Sequence, residues 1–396
     1  VELGGKLVTG VALPQQIGPY VVERCIGTGG MGAVYLAYSV AGDPVAVKVI
    51  RPDKIDPHSR ARFEREAEIA RTISGTGRVA RFLDADPLAE QPWLAMDYVP
   101  GRPLTEVVQD QGPLPASLVA SVGALLAEGL TAVHGAGLLH RDLKASNVIL
   151  GDFGPVIIDF GLGAFLEASK GSMSQPGTVL GTVRCMPPEQ ARGETEVTAA
   201  ADVYGLGTVL LHAATGHAPY DGTRWEAIAV QVVNPDAQPD LSGLPTGLAP
   251  LVSSMLAFDP DDRPALGQVT RRCTDLLREL GTSPARARHA LIQQTRSTGG
   301  ASARFPQPDA QMLDRLEALD KQLREQPEAG IEPGEEVPAS GGAPSEPVPV
   351  PVPSPDDDRP AAARPGRPPA SQRVAEELRT RYAVRGQLTW SGQRGS

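Results

Sequence analysis

"LLHRDLKASN", residues 138–147, gathers His140, Arg141, Asp142, Lys144 and Asn147 into ten positions. The stretch before it, residues 115–137, is apolar at helical spacing, with Leu118, Val122, Leu125, Leu126 and Leu130 along one side. A solvated turn carries one or two polar groups of this kind. Five at these spacings read as a site: a carboxylate that can take a proton, cations that can offset negative charge, and an amide that can ligate a hard cation. What the site does depends on the residues upstream and downstream of it.

Downstream, "VIIDFGLG" (156–163) places Asp159 at the end of an apolar strand, twelve residues after Asn147. Upstream, "IGTGGMGAV" (26–34) sets Gly27, Gly29 and Gly32 in a G-x-G-x-x-G pattern. In a dinucleotide-binding fold these glycines lead into a helix. Here Val34, Tyr35 and Leu36 follow and read as strand, so the glycines form a hairpin tip over a nucleotide or, as the plainer alternative, a flexible hairpin. "VAVKV" (45–49) sets Lys48 alone in an apolar strand, where a charge is costly to bury unless paired. An edge strand with Lys48 facing water is one reading. A pairing with Glu66 in "FEREAE" is the other, with Glu64 and Glu68 as competitors. Together these groups suit phosphoryl transfer, which needs positioning and charge stabilisation more than covalent help.

The ordered set "GTGGMGAV", "VAVK", "REAE", "HRDLKASN", "DFG" and "PPEQ" resembles that of bacterial eukaryotic-like (Hanks-type) serine/threonine protein kinases. The resemblance covers about residues 17–280. It implies an α+β, two-lobed protein kinase fold, with a strand-rich N-lobe over about 17–98 and a helical C-lobe over about 99–280. It implies ATP and Mg2+ (or Mn2+) as cofactors and Ser/Thr hydroxyls of proteins as acceptors, the chain itself included. On this resemblance Gly27, Gly29 and Gly32 cover the phosphates, and Lys48 with Glu66 forms the ion pair that orients them. Asp142 is the catalytic base, Lys144 assists transfer, and Asn147 and Asp159 hold the metal. Val34, Ala46, Met96, Asp97 and Val99 line the nucleotide pocket, Met96 as gatekeeper and 97–99 as the hinge.

The resemblance also implies that Glu189 pairs with Arg263 and that Asp202 holds the catalytic-loop backbone from a buried helix. Lys144, together with Gly181-Thr182, favours Ser/Thr over Tyr acceptors. The chain departs from the family pattern twice: Pro187-Pro188-Glu189 replaces Ala-Pro-Glu, and Cys185 stands where a Tyr is usual. Cys185 reads as a redox-sensitive thiol or, more simply, as a small buried hydrophobe. Arg141 needs an anionic partner if it is partly buried. In the family that partner is often a phosphate on the activation segment. That segment offers Ser169, Ser172, Ser174, Thr178 and Thr182, of which Ser174 and Thr178 are favoured.

Composition bounds the rest. The 396 residues carry a net charge of −10 and 41% hydrophobic residues. A sizeable core is expected, and general nucleic-acid binding is disfavoured. Cys25, Cys185 and Cys273 are too far apart for a metal motif or a disulfide framework, which suits a reducing cytoplasm. No long apolar run or signal-peptide pattern is apparent, so no membrane span is expected. Residues 1–16 form an extension. Residues 281–396 are expected to be a Pro-rich, largely disordered tail, whose removal from 296 leaves melting and turnover unchanged. Two short helices are expected within it, either as docking segments or, as the plainer alternative, as transient helices without a partner. One is 309–326, with Asp309 as N-cap and Leu313, Leu316, Leu319 and Leu323 on one face. The other is 371–385. Two other functions compete. A small-molecule phosphotransferase is disfavoured by Arg141 and "PPEQ", and a pseudokinase scaffold by the presence of Lys48, Asp142 and Asp159.

Overall fold

The computed structural model describes residues 13–29, 32–51, 67, 69–71, 73, 77–159, 182–194, 197–298 and 306–325. Glu66 and the helix expected at 371–385 lie outside these residues.

The β-branched runs of the first hundred residues form one antiparallel sheet. Its strands are β1 (Gln16–Ile17), β2 (Tyr20–Gly29), β3 (Gly32–Tyr38), β4 (Pro44–Ile50), β5 (Phe82–Asp86) and β6 (Trp93–Asp97), in the order β1-β2-β3-β4-β6-β5. β4 is therefore interior, which removes the edge-strand reading of Lys48. Val34 lies opposite Lys48 on β3, and Ala46 lies opposite Met96 on β6. Ala46 and Met96 pack in one apolar cluster with Leu94 and Phe82, with half-buried Val34 and Val99 against it. Period-2 alternation sends the other face of β4, Val45 and Val47, into a second cluster with Val22, Ala37 and Trp93.

The lobe that follows is built on two helices. A small second sheet, β7 (Gly101–Pro103), β8 (Val148–Gly151) and β9 (Gly154–Ile157), lies beside them. After α1 (Leu104–Gln111), α2 (Ala116–Gly135) buries Leu118, Val119, Val122, Leu126, Leu130 and Val133. This wrap exceeds the single stripe expected, because helices pack on several sides of it. α2 has the length and composition of a membrane span, but most of it is inside this lobe. α3 (Pro188–Ala191) precedes α4 (Ala200–Thr215), of which nearly every residue is buried. Gly205 on α4 permits a close approach: an added Cβ would lie 2.9 Å from the Leu143 carbonyl oxygen. The core closes with α5 (Trp225–Val233), α6 (Ala249–Met255) and α7 (Leu266–Glu279), whose Cys273 is fully buried.

Packing does not stop at residue 280. α8 (Pro284–Thr298) places Ala287 and Leu291 in the main core, and Arg288 donates through Nη2 to the Phe153 carbonyl at 3.0 Å. α9 (Ala310–Glu325) packs Met312, Leu316 and Leu319 on Val21 and Tyr38 of the N-lobe sheet. Its N-terminus is capped as expected, with Met312 N–H donating to Asp309 Oδ1 at 2.8 Å. The buried stripe differs from expectation. Met312, Leu316 and Leu319 run i, i+4, i+7, whereas Leu313 lies one residue further round and is 48% exposed. The Leu323 side chain is outside the described residues. Composition gives a largely disordered tail with a helix at 309–326, but does not say that this helix packs on the N-lobe. Because α9 covers Val21 and Tyr38, truncation at 296 uncovers apolar surface, and unchanged melting is no longer the expectation.

Candidate active site

The loop between α2 and β8 is fixed by α4. Asp202 accepts from two successive backbone amides, His140 N–H at 2.8 Å and Arg141 N–H at 2.8 Å, and its Oδ2 lies 2.7 Å from His134 Nε2. Burial alone would raise the Asp202 pKa. The His134 hydrogen bond and the backbone amides outweigh it, so the carboxyl sits below its ordinary value. His134 carried no motif signal. It stands one helical end away from His140 in sequence, and only the fold brings both to Asp202. The His140 ring links the loop to β9's exit: Nδ1 accepts from Asp142 N–H at 3.3 Å, and Nε2 is 3.1 Å from the Ile158 carbonyl oxygen.

Arg141 and Asp159 are the non-glycine residues with positive φ among those described, at 64° and 61°. Each such conformation costs about 1–3 kcal/mol and persists only where its surroundings over-determine it. The Asp202 clamp does so for Arg141. For Asp159 the Lys48 bond contributes, Nζ to Oδ2 at 2.9 Å. Burial would raise the Asp159 pKa, but the Lys48 charge and hydrogen bond outweigh it and hold the carboxyl below its usual range.

Between these anchors the expected site residues converge. Lys144 Nζ donates to Asp142 Oδ1 at 3.0 Å, to Asp142 Oδ2 at 2.7 Å and to Thr182 Oγ1 at 3.0 Å. Asn147 Nδ2 donates to the Asp142 carbonyl at 2.8 Å, which turns the amide oxygen away from that bond. Gly27, Gly29 and Gly32 lie at the closed end of the β2–β3 hairpin, where Gly27 pairs with Val34 and Gly29 with Gly32. Gly32 is required by β4: an added Cβ would lie 1.9 Å from the Val49 carbonyl oxygen. At Gly27 a Cβ would meet nothing closer than Val34 Cβ at 4.0 Å, so the protein itself does not demand glycine there. Asp97, the first of the expected hinge residues, has its amide bonded to the Arg81 carbonyl at 2.9 Å.

Glu189 and Arg263 form a bidentate pair at 2.7 and 2.8 Å, both buried. Gln190 Nε2 donates to the Arg141 carbonyl at 3.0 Å, a tie from this segment to the loop that no motif announced. Cys185, partly buried, turns its thiol toward Thr208, and burial raises its pKa. That keeps it a thiol rather than a reactive thiolate, which favours the packing reading. Arg141 uses its main-chain N–H and carbonyl in the contacts above, yet its buried Nε has no partner among the described residues.

Residues 20–273 match the protein kinase domain model. The chain belongs to the protein kinase family. It is 41% identical over 303 residues to the serine/threonine-protein kinase AfsK of Streptomyces griseus, covering 76% of this chain and 35% of that protein. It is 33% identical over 293 residues to the serine/threonine-protein kinase PknB of Mycobacterium tuberculosis, covering 72% and 46%. Among solved structures, the kinase domain of PknI from Mycobacterium tuberculosis aligns with a TM-score of 0.51 at 28% identity, covering 72% of this chain and 99% of that one. The chain thus spans between a third and a half of the curated relatives named here, all of them bacterial serine/threonine kinases.

The two depressed carboxyls give this kinase domain a defined acid response. A carboxylate held below its unfolded value, about 3.9 for Asp, adds stability above that pH and loses it as pH falls through the folded value. Melting temperature measured against pH is expected to drop steeply below about pH 4. Asp202→Asn should be less stable at neutral pH and show a shallower acid limb. An acid limb identical to that of the parent would remove Asp202 from the account.

Proposed function

We propose that the chain is an ATP-dependent serine/threonine protein kinase that also phosphorylates itself. The observation that carries this reading is Lys144, whose ammonium joins both Asp142 oxygens to the Thr182 hydroxyl. A general base, a cation for the transferred group and a contact to the acceptor side thus meet at one nitrogen.

ATP fits the chain's groups as follows. Val34, Ala46, Met96 and Val99 form the apolar cluster suited to adenine, and the backbone of 97–99 supplies its hydrogen bonds. The open space over Gly27 suits close approach of phosphate to the hairpin amides. Mg2+ takes hard oxygen ligands from one or two side chains plus substrate phosphates. Asn147 and Asp159 supply such oxygens, and among the described residues no group of three His, Cys, Asp or Glu side chains competes for a metal. The bound metal ion would neutralise phosphate charge. Lys48 directs the phosphates and holds Asp159, and its pairing with Glu66 remains part of this proposal.

In the transfer step, the acceptor hydroxyl oxygen bonds to the γ-phosphorus, the bond from that phosphorus to the β–γ bridging oxygen breaks, and ADP leaves. Asp142 receives the hydroxyl proton, and Lys144 offsets charge on the moving phosphoryl group. Arg141 Nε, buried without a partner among the described residues, supports a phosphate on the activation segment, at Ser174 or Thr178, as its anionic partner. The test is incubation of the full chain with Mg2+, ATP and a generic protein substrate, followed by mass spectrometry, with Asp159→Asn as the inactive comparison. Phosphoserine and phosphothreonine are expected on the substrate and at Ser174 or Thr178. An active enzyme with an unmodified segment would sink the autophosphorylation reading, and no transfer at all would sink the kinase reading.

A further inference from the structure

α9 lies outside the matched kinase domain, yet it occupies the N-lobe. Its Met312, Leu316 and Leu319 cover Val21 and Tyr38, with half-buried Val40 beside them. Val21 and Tyr38 are cross-strand partners at the open end of the β2–β3 hairpin, whose closed end carries Gly27, Gly29 and Gly32. Arg315 adds a polar clasp. Its Nη2 donates to the Gln15 carbonyl at 2.7 Å and its Nη1 to the Val22 carbonyl at 3.1 Å. The Gln15 carbonyl also accepts from Val22 N–H at 2.9 Å, so one arginine closes the turn that joins β1 to β2.

Two further observations give this contact a consequence. The β2–β3 ladder shifts register between Val22 and Arg24 and again between Cys25 and Gly27. Such bulges bend a strand and interrupt its ladder. The hairpin therefore has a stem fixed by α9, then two breaks, then the glycine tip. The preceding helix, α8, is anchored in the other lobe through Ala287 and Leu291. α8 and α9 thus each pack on a different lobe from outside the matched domain.

We propose that α8 and α9 act as an intramolecular strap. Its detachable end, α9, binds the outer face of β2 and β3 and holds the phosphate-binding hairpin in its ATP-competent position. Among the described residues its buried contacts are those of Met312, Leu316, Leu319 and Arg315. This inference rests on the ATP-binding reading above.

The experiment uses the full chain and two variants, Leu316→Asp and Arg315→Ala, with Leu316→Met as the conservative control. Hydrogen exchange over 15–24 and calorimetric binding of ATP in the presence of Mg2+ are measured for each. Leu316→Asp is expected to speed exchange over 15–24 by about tenfold or more and to weaken ATP binding by about threefold or more. Arg315→Ala should shift both in the same direction by less, and Leu316→Met should restore parent behaviour. Unchanged exchange in both variants overturns the strap. Faster exchange with unchanged ATP affinity also overturns it, since α9 would then pack without positioning the hairpin. A parent chain that binds ATP but transfers no phosphate would defeat the kinase reading and leave the strap standing.

Discussion

Asp142→Asn is expected to lower phosphoryl transfer by about 10²- to 10⁴-fold, the usual contribution of a positioned general base, with ATP binding nearly unchanged. The substitution is nearly isosteric and should not collapse the loop. Asn147 Nδ2 bonds the Asp142 main-chain carbonyl at 2.8 Å, a contact the substitution leaves in place beside its longer one to Asp142 Oδ2 at 3.4 Å, and Asp202 grips the two preceding amides. Lys144 keeps Thr182 and one oxygen of residue 142 as acceptors. What disappears is the group proposed above to take the hydroxyl proton. Initial rates at saturating ATP, set beside calorimetric ATP binding, separate this from a folding defect. Near-parental turnover would mean that another group accepts the proton.

Arg263→Ala is expected to destabilise the fold by about 3–5 kcal/mol, the scale for stripping one partner from a buried ion pair. All five guanidinium N–H groups are used. Two go to Glu189, at 2.7 and 2.8 Å, and the others to the carbonyls of Ala257, Ala200 and Phe258 at 2.9, 3.1 and 3.2 Å. The guanidinium also lies over the Tyr204 ring, 5.0 Å from its centroid. Alanine would strand a buried carboxylate and three carbonyls. Arg263→Lys keeps the charge without the planar fork and should fall between the two. Denaturant unfolding of the three chains checks this, and a loss under about 1 kcal/mol for the alanine variant would contradict it.

Much of this was legible before the fold was known, because the chemistry is concentrated in short segments. The catalytic loop, the Asp159 strand and the glycine hairpin each sit within a few residues of sequence. Spacing fixed their order, and β-branched runs against apolar helices separated the lobes. The illegible part is what long-range packing decides. The Lys48–Asp159 bond spans 111 residues and the His134–Asp202 bond 68. Neither spacing has a period to read. The strand with Lys48 could have been an edge, because a lone cation in an apolar run does not say which neighbours flank it. The helix at 309–326 was legible, with Leu316 and Leu319 on its face, but the surface it packs on was not, for a related reason. Proline density describes the average of a segment, whereas α9 depends on four side chains, Met312, Arg315, Leu316 and Leu319, finding a surface some 290 residues earlier.

One buried helix sets how this protein should fail on heating. α4 supplies both Asp202, which holds the catalytic loop by its amides, and Gly205, which lets that loop's Leu143 carbonyl lie against the helix. The same helix is the centre of the main core through Leu206, Val209, Leu210 and Leu211. The catalytic loop therefore has no local way to come undone, in contrast to active sites carried on loops that open independently. Inactivation and the collapse of the helical lobe should be a single event. An activity-loss curve and a far-ultraviolet melting curve would superimpose, and the half-life of the enzyme would be the half-life of its core.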